Sequence, residues 1–268
     1  MISFTDEELE RYSRHIILKD LGIGGQARIR EARVLIIGAG GLGSPAALYL
    51  AAAGAGTIGI ADADCVELSN LQRQVIHFTK DVNRPKVESA AEKMREINPD
   101  VTVKMYHEFV RAANIGPMIA DYDFIIDGTD NFATKFLIND ACILAGKPFS
   151  HGGILRFNGQ TMTILPSRSA CYRCVFPSPP PPGRVPTCSQ AGVLGAVAGI
   201  LGTIQATECL KFITKTGTLL ADSLLTFDTK SMVFRTIALR RNGKCAVCGD
   251  NPSIRELVDE EQAGCDLK

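Results

Sequence analysis

The sequence predicts an α/β fold with a Rossmann-like nucleotide-binding sheet, parallel in its first half and antiparallel in its second, with helices on both faces. Over residues 31–146, short apolar runs bounded by Gly and Asp alternate with helical stretches, which is typical of βαβ units. After Lys147 this alternation gives way to pairs of strands separated by turn residues, which indicates antiparallel pairing. A glycine-rich segment after the first apolar run supports a nucleotide-binding fold.

The composition narrows the classes of function. The 268 residues carry 29 Lys+Arg and 29 Asp+Glu and are 46% apolar, as expected of a folded globular protein. A net charge of zero argues against a nucleic-acid or anionic-membrane partner. The first residues do not have the pattern of a signal peptide, and nine cysteines without an export signal favour thiolate chemistry or metal ligation over disulfides. We therefore expect a cytoplasmic protein.

The first 30 residues predict a helical arm. Thr5 and Glu8 form a capping-box pattern, and apolar residues follow at helical spacing. We expect the glycines of LGIGGQ to end this helix. Arg14 lies on its polar face, where a charged residue is ordinarily only solvated.

The nucleotide-binding half, residues 31–146, is predicted from its alternating segments. Strands are expected within residues 32–40, 56–62, 101–106 and 123–130, and helices over residues 42–53, 84–97 and 133–144.

The motif Gly38-x-Gly40-x-x-Gly43, with Gly41 inside it, lies directly after a predicted strand and before a predicted helix. Glycines permit a tight turn and close approach of the backbone to phosphate, while the helix start offers unpaired N–H groups. Asp62 ends the next strand, where a carboxylate can accept hydrogen bonds from ribose. The alternative is a glycine-rich turn with no ligand.

Polar and cationic residues follow the expected ribose position. Asn70, Arg73 and Gln74 come shortly after Asp62, and Lys86 begins the next helical segment. Two cations suit a triphosphate better than a nicotinamide.

A second predicted strand ends in DGTDN and brings Asp127, Asp130 and Asn131 to the carboxyl edge of the sheet. A carboxylate there can hold Mg²⁺ against phosphate oxygens. Turn or helix-cap chemistry is an equally good interpretation of these residues.

The second half, residues 147–249, is predicted to contain two hairpins whose turns are GQ and DTKS. Between them, residues 177–186 are proline-rich and predict an extended exposed loop. Residues 191–204 predict a buried helix, because the apolar run is too short for a membrane span. We expect an acidic tail over residues 250–268.

Four cysteines form two CxxC pairs, which suits a closed tetrahedral zinc site: Cys171, Cys174, Cys245 and Cys248. Redox dithiols or two local disulfides are the alternatives. Cys188 precedes the apolar helix, whose N-terminus would favour its thiolate. We expect Cys65, Cys142 and Cys209 in the core and Cys265 in the tail, and assign no role to the four histidines.

The run GAGGLGSPAALYLAAAGAGTIGIADADCVELSNLQRQ, DGTDN, the proline-rich loop, PTC and the CxxC pairs together resemble the ThiF/MoeB/HesA family of adenylyltransferases. The resemblance covers nearly the whole chain, as one domain over residues 1–249. It implies ATP- and Mg²⁺-dependent activation of the C-terminal glycine of a small ubiquitin-like sulfur carrier of the MoaD or ThiS type, held by the second half of the sheet. The adenylated carrier would then be converted to a thiocarboxylate for molybdopterin, thiamine or related pathways.

The resemblance also implies roles for individual residues. Nucleotide contacts fall on Gly41, Asp62, Asn70, Arg73, Lys86, Asp130 and Asn131, and Asp130 would also hold magnesium. Arg14 would reach the partner's site in a homodimer, and the zinc would be structural. Cys188 would form a thioester or a disulfide-linked species with the carrier without being needed for adenylation, and a structural role is the alternative. No rhodanese-like domain follows the second CxxC pair, so we expect the sulfur donor to be a separate protein.

Three alternatives remain. The glycine motif alone permits a nicotinamide-dependent oxidoreductase, although no tyrosine has a lysine four residues later. A non-catalytic zinc-stapled scaffold would not need Arg14, Arg73, Lys86 and Asp130 together. A transfer-RNA-modifying dehydratase of the same family fits the paired CxxC motifs less well.

Overall fold

The computed structural model describes residues 3–181, 184 and 191–259. One mixed sheet organises this part of the chain, with strand order β3-β2-β1-β4-β5-β6-β7-β8. The strands are β1 (Arg33–Ile37), β2 (Thr57–Ala61), β3 (Thr102–Tyr106), β4 (Phe124–Asp127), β5 (Phe149–Leu155), β6 (Asn158–Ile164), β7 (Ser223–Asp228) and β8 (Val233–Ala238). The α-helices are α1 (Asp6–Arg11), α2 (Ser13–Ile16), α3 (Gly22–Glu31), α4 (Gly43–Ala53), α5 (Lys86–Ile97), α6 (Ala112–Ala120), α7 (Phe132–Leu144), α8 (Tyr172–Val175) and α9 (Gly195–Thr214). Short 3₁₀ turns span Leu68–Asn70 and Thr79–Asp81.

The predicted parallel half is confirmed. β1 pairs in parallel with β2 and β4, β2 pairs with β3, and β4 pairs with β5. The strand order reverses between β1 and β4, since the chain runs outward through β2 and β3 before returning. Ligands of open α/β sheets bind at this kind of switch point, beyond the carboxyl ends of the strands.

The antiparallel half is confirmed, but one predicted turn is wrong. β5 pairs with β6, β6 with β7, and β7 with β8, whose connecting turn includes most of the predicted DTKS. Gly159 and Gln160 lie inside β6, and the turn falls at residues 156–157, where Arg156 has φ 57°. A Cβ on Gly159 would lie 2.3 Å from a ring atom of Phe227, so this glycine makes room for an aromatic ring.

Helices cover both faces of the sheet. Alternate β1 residues point to opposite faces, so Val34 and Ile36 pack under α3, α4, α5 and α9, while Leu35 and Ile37 pack under α6 and α7. A buried helix is confirmed here as α9, but it spans Gly195–Thr214 instead of the predicted residues 191–204, so the expected length was wrong. It is long and apolar enough to cross a membrane, but half of the residues in its apolar window are buried inside the protein.

The N-terminal arm departs from the prediction. The Thr5–Glu8 capping box is present, with the Thr5 N–H donating to Glu8 Oε2 over 2.7 Å. The first helical segments end at residue 16, and Gly22 begins α3 with φ 59°. Gly24 and Gly25 therefore lie within a helix. Tertiary contacts hold α3, because Ile29 is fully buried and Arg28 Nη2 donates to the Thr214 carbonyl over 2.7 Å.

Residues 250–259, the described part of the predicted tail, pack back against the domain. Ile254 and Leu257 contact the core under α6 and α7. Asp259 Oδ1 accepts the backbone N–H of Ala112 over 2.8 Å, at the start of α6. This stretch of the tail therefore packs on the fold.

Candidate active site

A cleft of about 1630 Å³ opens at the carboxyl edge of the parallel strands and continues over the antiparallel half. The turn after β1, the segments after β2 and β4, and residues of β5 to β8 line it. A single cleft therefore joins the two halves of the sheet.

The glycine turn after β1 is built by two close backbone approaches. Gly38 has φ 97°, and a Cβ on it would lie 2.8 Å from the Gly128 carbonyl oxygen. A Cβ on Gly43 would lie 1.8 Å from the Gly38 oxygen. These two glycines form the turn, while Gly40 and Gly41 line the cleft.

Asp62 and Lys86 lie together beside this turn. The two Asp62 carboxylate oxygens accept the N–H groups of Ala39 and Asp64 over 2.8 and 2.9 Å. Lys86 Nζ lies 2.8 Å from Asp64 Oδ2 and 3.9 Å from Asp62 Oδ1. Burial raises the pKa of Asp62, and the Lys86 charge opposes that rise. All three side chains line the cleft, where a lysine can meet a phosphate beside the carboxylate.

Arg73 lines the cleft, whereas Asn70 is buried. Arg73 lines the cleft next to Gly41, and its Nη1 donates to the Ser69 carbonyl over 3.1 Å. Asn70 is buried, and its Oδ1 accepts the Glu67 N–H over 3.1 Å. Asn70 thus shapes the 3₁₀ turn that precedes Arg73 and is absent from the described lining of the cleft.

The residues of DGTDN have two kinds of position: some hold the local structure through hydrogen bonds, and one is exposed in the cleft. Asp130 is exposed in the cleft. Asn131 caps α7 by accepting the Thr134 N–H over 2.8 Å, and it also lines the cleft. Asp127 is buried and accepts hydrogen bonds from Thr129, at 2.6 Å to the hydroxyl, and from Lys135, at 3.0 Å. The alternative of turn and cap chemistry therefore describes Asp127 and Asn131, and Asp130 alone of the three is exposed.

Three residues that the sequence analysis missed surround Asp127. Lys135 Nζ binds the Asp127 carboxylate and the Gly152 carbonyl, and His151 Nδ1 lies 3.0 Å from Asp127 Oδ2. Gln205 Nε2 donates to the backbone oxygens of Asp127 and Ser150. Although burial alone raises the pKa of Asp127, Lys135 and His151 hold it well below its usual range. A lysine within the apolar helix KFLIN was the one signal in the sequence.

The predictions for Arg14 and for the five cysteines outside the CxxC pairs have different outcomes. Arg14 is exposed on α2 and does not line the cleft of its own chain, as far as that cleft is described. Cys188 and Cys265 lie outside the described residues. Cys142 and Cys209 are buried as predicted, but Cys65 is exposed, because it lies on the polar segment after β2 and bridges only through its backbone to Pro85.

The four CxxC cysteines converge. All four Sγ atoms lie within 4.8 Å of one another, with Cys171–Cys245 at 3.6 Å, Cys171–Cys174 at 3.8 Å and Cys174–Cys248 at 3.4 Å. Zn–S bonds of about 2.3 Å in a tetrahedron require roughly 3.8 Å between sulfurs. The Asn242 N–H also donates to Cys174 Sγ over 3.3 Å. This cluster could therefore bind zinc as a closed site.

The cysteine cluster also supports the wall of the cleft. Tyr172 follows Cys171, and its ring packs against His151 at a centroid distance of 4.4 Å. Arg173 forms a buried two-point ion pair with Asp140 of α7, at 2.8 and 2.7 Å. Tyr172 and His151 both line the cleft. A metal at the cluster would thus hold an aromatic wall in place.

The fold and the cleft define a Rossmann-like nucleotide-binding protein with a four-cysteine cluster. A profile of the ThiF family matches residues 12–247. The chain belongs to the ThiF family, and the resemblance based on SNLQRQ and DGTDN is confirmed.

Several proteins with named activities are similar to this chain over almost its whole length. It is 44% identical to a sulfur carrier protein adenylyltransferase of Thermus thermophilus and 47% identical to the SAMP-activating enzyme E1 of Haloferax volcanii, covering 99% of both chains in each case. It is 48% identical to the probable adenylyltransferase/sulfurtransferase MoeZ of Mycobacterium tuberculosis, over 97% of this chain and 66% of MoeZ. Among solved structures, Escherichia coli MccB has a TM-score of 0.80 at 21% identity, over 89% of this chain and 74% of MccB, which shows a common fold.

Proposed function

We propose that this chain is an ATP-dependent adenylyltransferase that activates the C-terminal glycine of a small ubiquitin-like sulfur carrier. The observation that carries the proposal is the single cleft, which joins the glycine turn, Arg73, Lys86 and Asp130 to the antiparallel sheet. The relatives named sulfur carrier protein adenylyltransferase and SAMP-activating enzyme E1, each matched over 99% of its length, support the same reaction class.

The reaction requires positioning and charge neutralisation. One oxygen of the carrier's terminal carboxylate bonds to the α-phosphorus of ATP, and the bond from that phosphorus to pyrophosphate breaks. No protein nucleophile is needed, so the contribution of the site is to align the carboxylate and to offset phosphate charge. Arg73 and Lys86 supply positive charge from two sides of the glycine turn. Asp130, an exposed oxygen ligand, would hold Mg²⁺, which supplies further neutralisation of phosphate charge.

The other predicted site residues fit supporting roles. Gly40 and Gly41 line the cleft, where their backbone would approach the phosphates, while Gly38 and Gly43 build the turn. Asp62 keeps carboxylate lone pairs for ribose hydroxyls beside the two N–H groups that it accepts. Asn70 and Asn131 act by holding the segments that carry Arg73 and Asp130.

We also propose a homodimer in which Arg14 enters the partner's site. Arg14 is exposed on α2 and is absent from the described lining of its own chain's cleft, which is compatible with such a role. Zinc at the four cysteines has a structural role, because four thiolates leave no open position. We propose that the Cys188 thiolate attacks the carbonyl carbon of the carrier's adenylated glycine, so that a thioester forms and the bond to AMP breaks. The sulfur donor is a separate protein, and the reaction takes place in the cytoplasm.

Carrier-dependent ATP–pyrophosphate exchange tests the proposal. The zinc-loaded protein is offered each carrier that ends in Gly-Gly and is encoded by its own genome, with Mg²⁺ and ATP. We expect exchange with one carrier and none after its last glycine is removed, which would also identify the pathway. Folded, zinc-loaded protein that gives no exchange with any carrier would contradict the proposal and favour a scaffold.

A further inference from the structure

His151 places a buried, unpartnered nitrogen at the junction of the two halves of the cleft. Its side chain lies on β5 and is almost fully buried, with 1% of the residue exposed. Nδ1 lies 3.0 Å from Asp127 Oδ2, whereas Nε2 has no hydrogen-bond partner within the described parts of the chain. A buried polar atom without a partner costs free energy, so a ligand that supplies the partner gains affinity.

The neighbours of His151 determine which kind of partner fits. Asp127 is ionised, because Lys135 Nζ lies 3.0 Å from the same carboxylate oxygen that His151 approaches. That oxygen accepts a hydrogen bond, so the imidazole proton resides on Nδ1 and Nε2 presents a lone pair. Burial lowers the pKa of His151, which favours this neutral form of the ring. The missing partner is therefore a hydrogen-bond donor.

The reaction brings hydrogen-bond donors of the nucleotide and of the carrier into the cleft, and the position of His151 determines which of them can reach Nε2. β5 lies between β4, which leads to Asp130, and β6, which begins the antiparallel half. Asp62, the proposed ribose ligand, follows β2, three strand spacings or about 14 Å away. Gly153 also lines the cleft, and a Cβ on it would lie 3.6 Å from His151 Nε2. Nucleotide hydroxyls belong at the Asp62 end, whereas a chain that passes from the antiparallel half toward Asp130 passes His151.

We propose that His151 Nε2 accepts a hydrogen bond from a backbone N–H of the carrier's two C-terminal glycines. This inference rests on the proposed function and adds a subsite for the carrier tail. Glycines have no side chains, so their N–H groups are the donors they offer. Tyr172, packed on the imidazole, and Asp127, bonded to its other nitrogen, hold Nε2 in place.

Steady-state exchange with two substitutions tests the subsite. His151→Leu removes the acceptor, and we expect the KM for the carrier to rise on the order of tenfold while the KM for ATP stays unchanged. His151→Gln returns an acceptor atom near the Nε2 position and is expected to recover part of the loss. Ser150→Ala is the matched control, because its hydroxyl is also buried without a partner but the residue does not line the cleft as described. We expect it to leave both KM values unchanged.

A carrier with an ester in place of a tail amide tests the hydrogen bond itself. Replacing the N–H of either terminal glycine by oxygen removes one donor, and the wild-type enzyme tests the proposal even where a His151 variant does not fold. One ester should weaken the wild type about tenfold and His151→Leu little further, because both changes remove the same bond.

The outcomes separate this inference from the proposed function. A rise in the KM for ATP instead of the carrier would overturn the subsite. So would ester penalties that are equally large with and without His151, or absent from the wild type. In each of these three outcomes the wild type still catalyses ATP–pyrophosphate exchange, and the proposed function stands. Absence of exchange with any intact carrier would contradict both.

Discussion

Lys135 and Asp127 form an ion pair, Nζ to Oδ2 at 3.0 Å, that is buried beneath the loop carrying Asp130. Asp127 ends β4, and its other oxygen accepts both the N–H and the hydroxyl of Thr129. The pair thereby fixes the first residues of DGTDN. Asp130 follows Thr129 directly, so the buried pair sets the position of an exposed carboxylate.

Removing one member of this pair should be costly. Lys135→Met leaves Asp127 buried without its cation, and we expect the free energy of unfolding in urea to fall by about 3–5 kcal/mol. The double variant Asp127→Asn, Lys135→Met removes both charges and should recover part of that loss. A Lys135→Met protein as stable as the wild type would contradict the structural role of the pair.

Arg73 and Asp130 should affect chemistry without affecting the fold. Both are solvent-accessible in the cleft, so we expect Arg73→Ala and Asp130→Asn to reduce exchange by at least about a hundredfold, with unfolding free energies within about 0.5 kcal/mol of wild type. Arg95→Ala is the matched control, since Arg95 also donates to a backbone carbonyl but lies away from this cleft. Full activity in either cleft variant would refute the assignment.

Zinc should be bound at one ion per chain and should stabilise the fold. Cys171→Ser or removal of metal by a chelator is expected to release zinc and lower the free energy of unfolding by on the order of 5 kcal/mol. Exchange should fall as well, because Tyr172 and the wall against His151 depend on the cluster. Cys65→Ser, which changes an exposed cysteine outside the cluster, should retain one zinc. Metal analysis and thermal unfolding measure both results, and a metal-free wild type of equal stability would rule zinc out.

Two glycines should respond in opposite directions to alanine. A Cβ on Gly43 would lie 1.8 Å from the Gly38 oxygen, so we expect Gly43→Ala to cost about 3 kcal/mol and to disrupt the nucleotide turn. Gly24 lies in α3 with nothing within 4 Å of an added Cβ, and Gly24→Ala should stabilise by about 0.5–1 kcal/mol. Equal stabilities of the two variants in chemical denaturation would contradict this view of the turn.

Stability should fall as the pH decreases below about 6.5. Burial lowers the pKa of His77, whose ring nitrogens lie 2.9 Å from Ser89 Oγ and the Ala39 carbonyl. At a pH below the pKa of His77 in the unfolded state, the unfolded chain therefore binds a proton on this residue more readily than the folded protein does. The free energy of unfolding decreases as the pH falls through this range. We expect a slope of up to about 1.4 kcal/mol per pH unit from this residue. His77→Gln should reduce the slope of unfolding free energy between pH 7 and 5.5 and leave the part that the buried His151 contributes, and an unchanged slope would contradict the assignment.

Much of this protein could be predicted from local patterns in the sequence. The helices expected over residues 42–53 and 133–144 begin within one residue of the observed α4 and α7 and end where these helices end. The glycine turn was predicted from a local motif, within which a Cβ on Gly43 would lie 1.8 Å from the Gly38 oxygen. The failures at Gly24 and Gly159 have one cause. A glycine by itself predicts a turn, but tertiary contacts placed both residues in regular structure. The helix that contains Gly24 is held through the Arg28–Thr214 hydrogen bond, and Gly159 lies in a strand where it makes room for the Phe227 ring.

The sequence alone determined the order of the strands along the chain, the glycine turn, the four zinc-ligand candidates and membership of the ThiF family, because each depends on residue types at short spacing. Tertiary structure decided which carboxylates are free. Asp127 and Asp130 are equivalent in sequence, but the register of β4 with β5 places Asp127 opposite His151 and α7 adds Lys135. It also brought together Cys171 and Cys245, which are 74 residues apart. Such contacts depend on strand register and on burial, which local propensities do not encode.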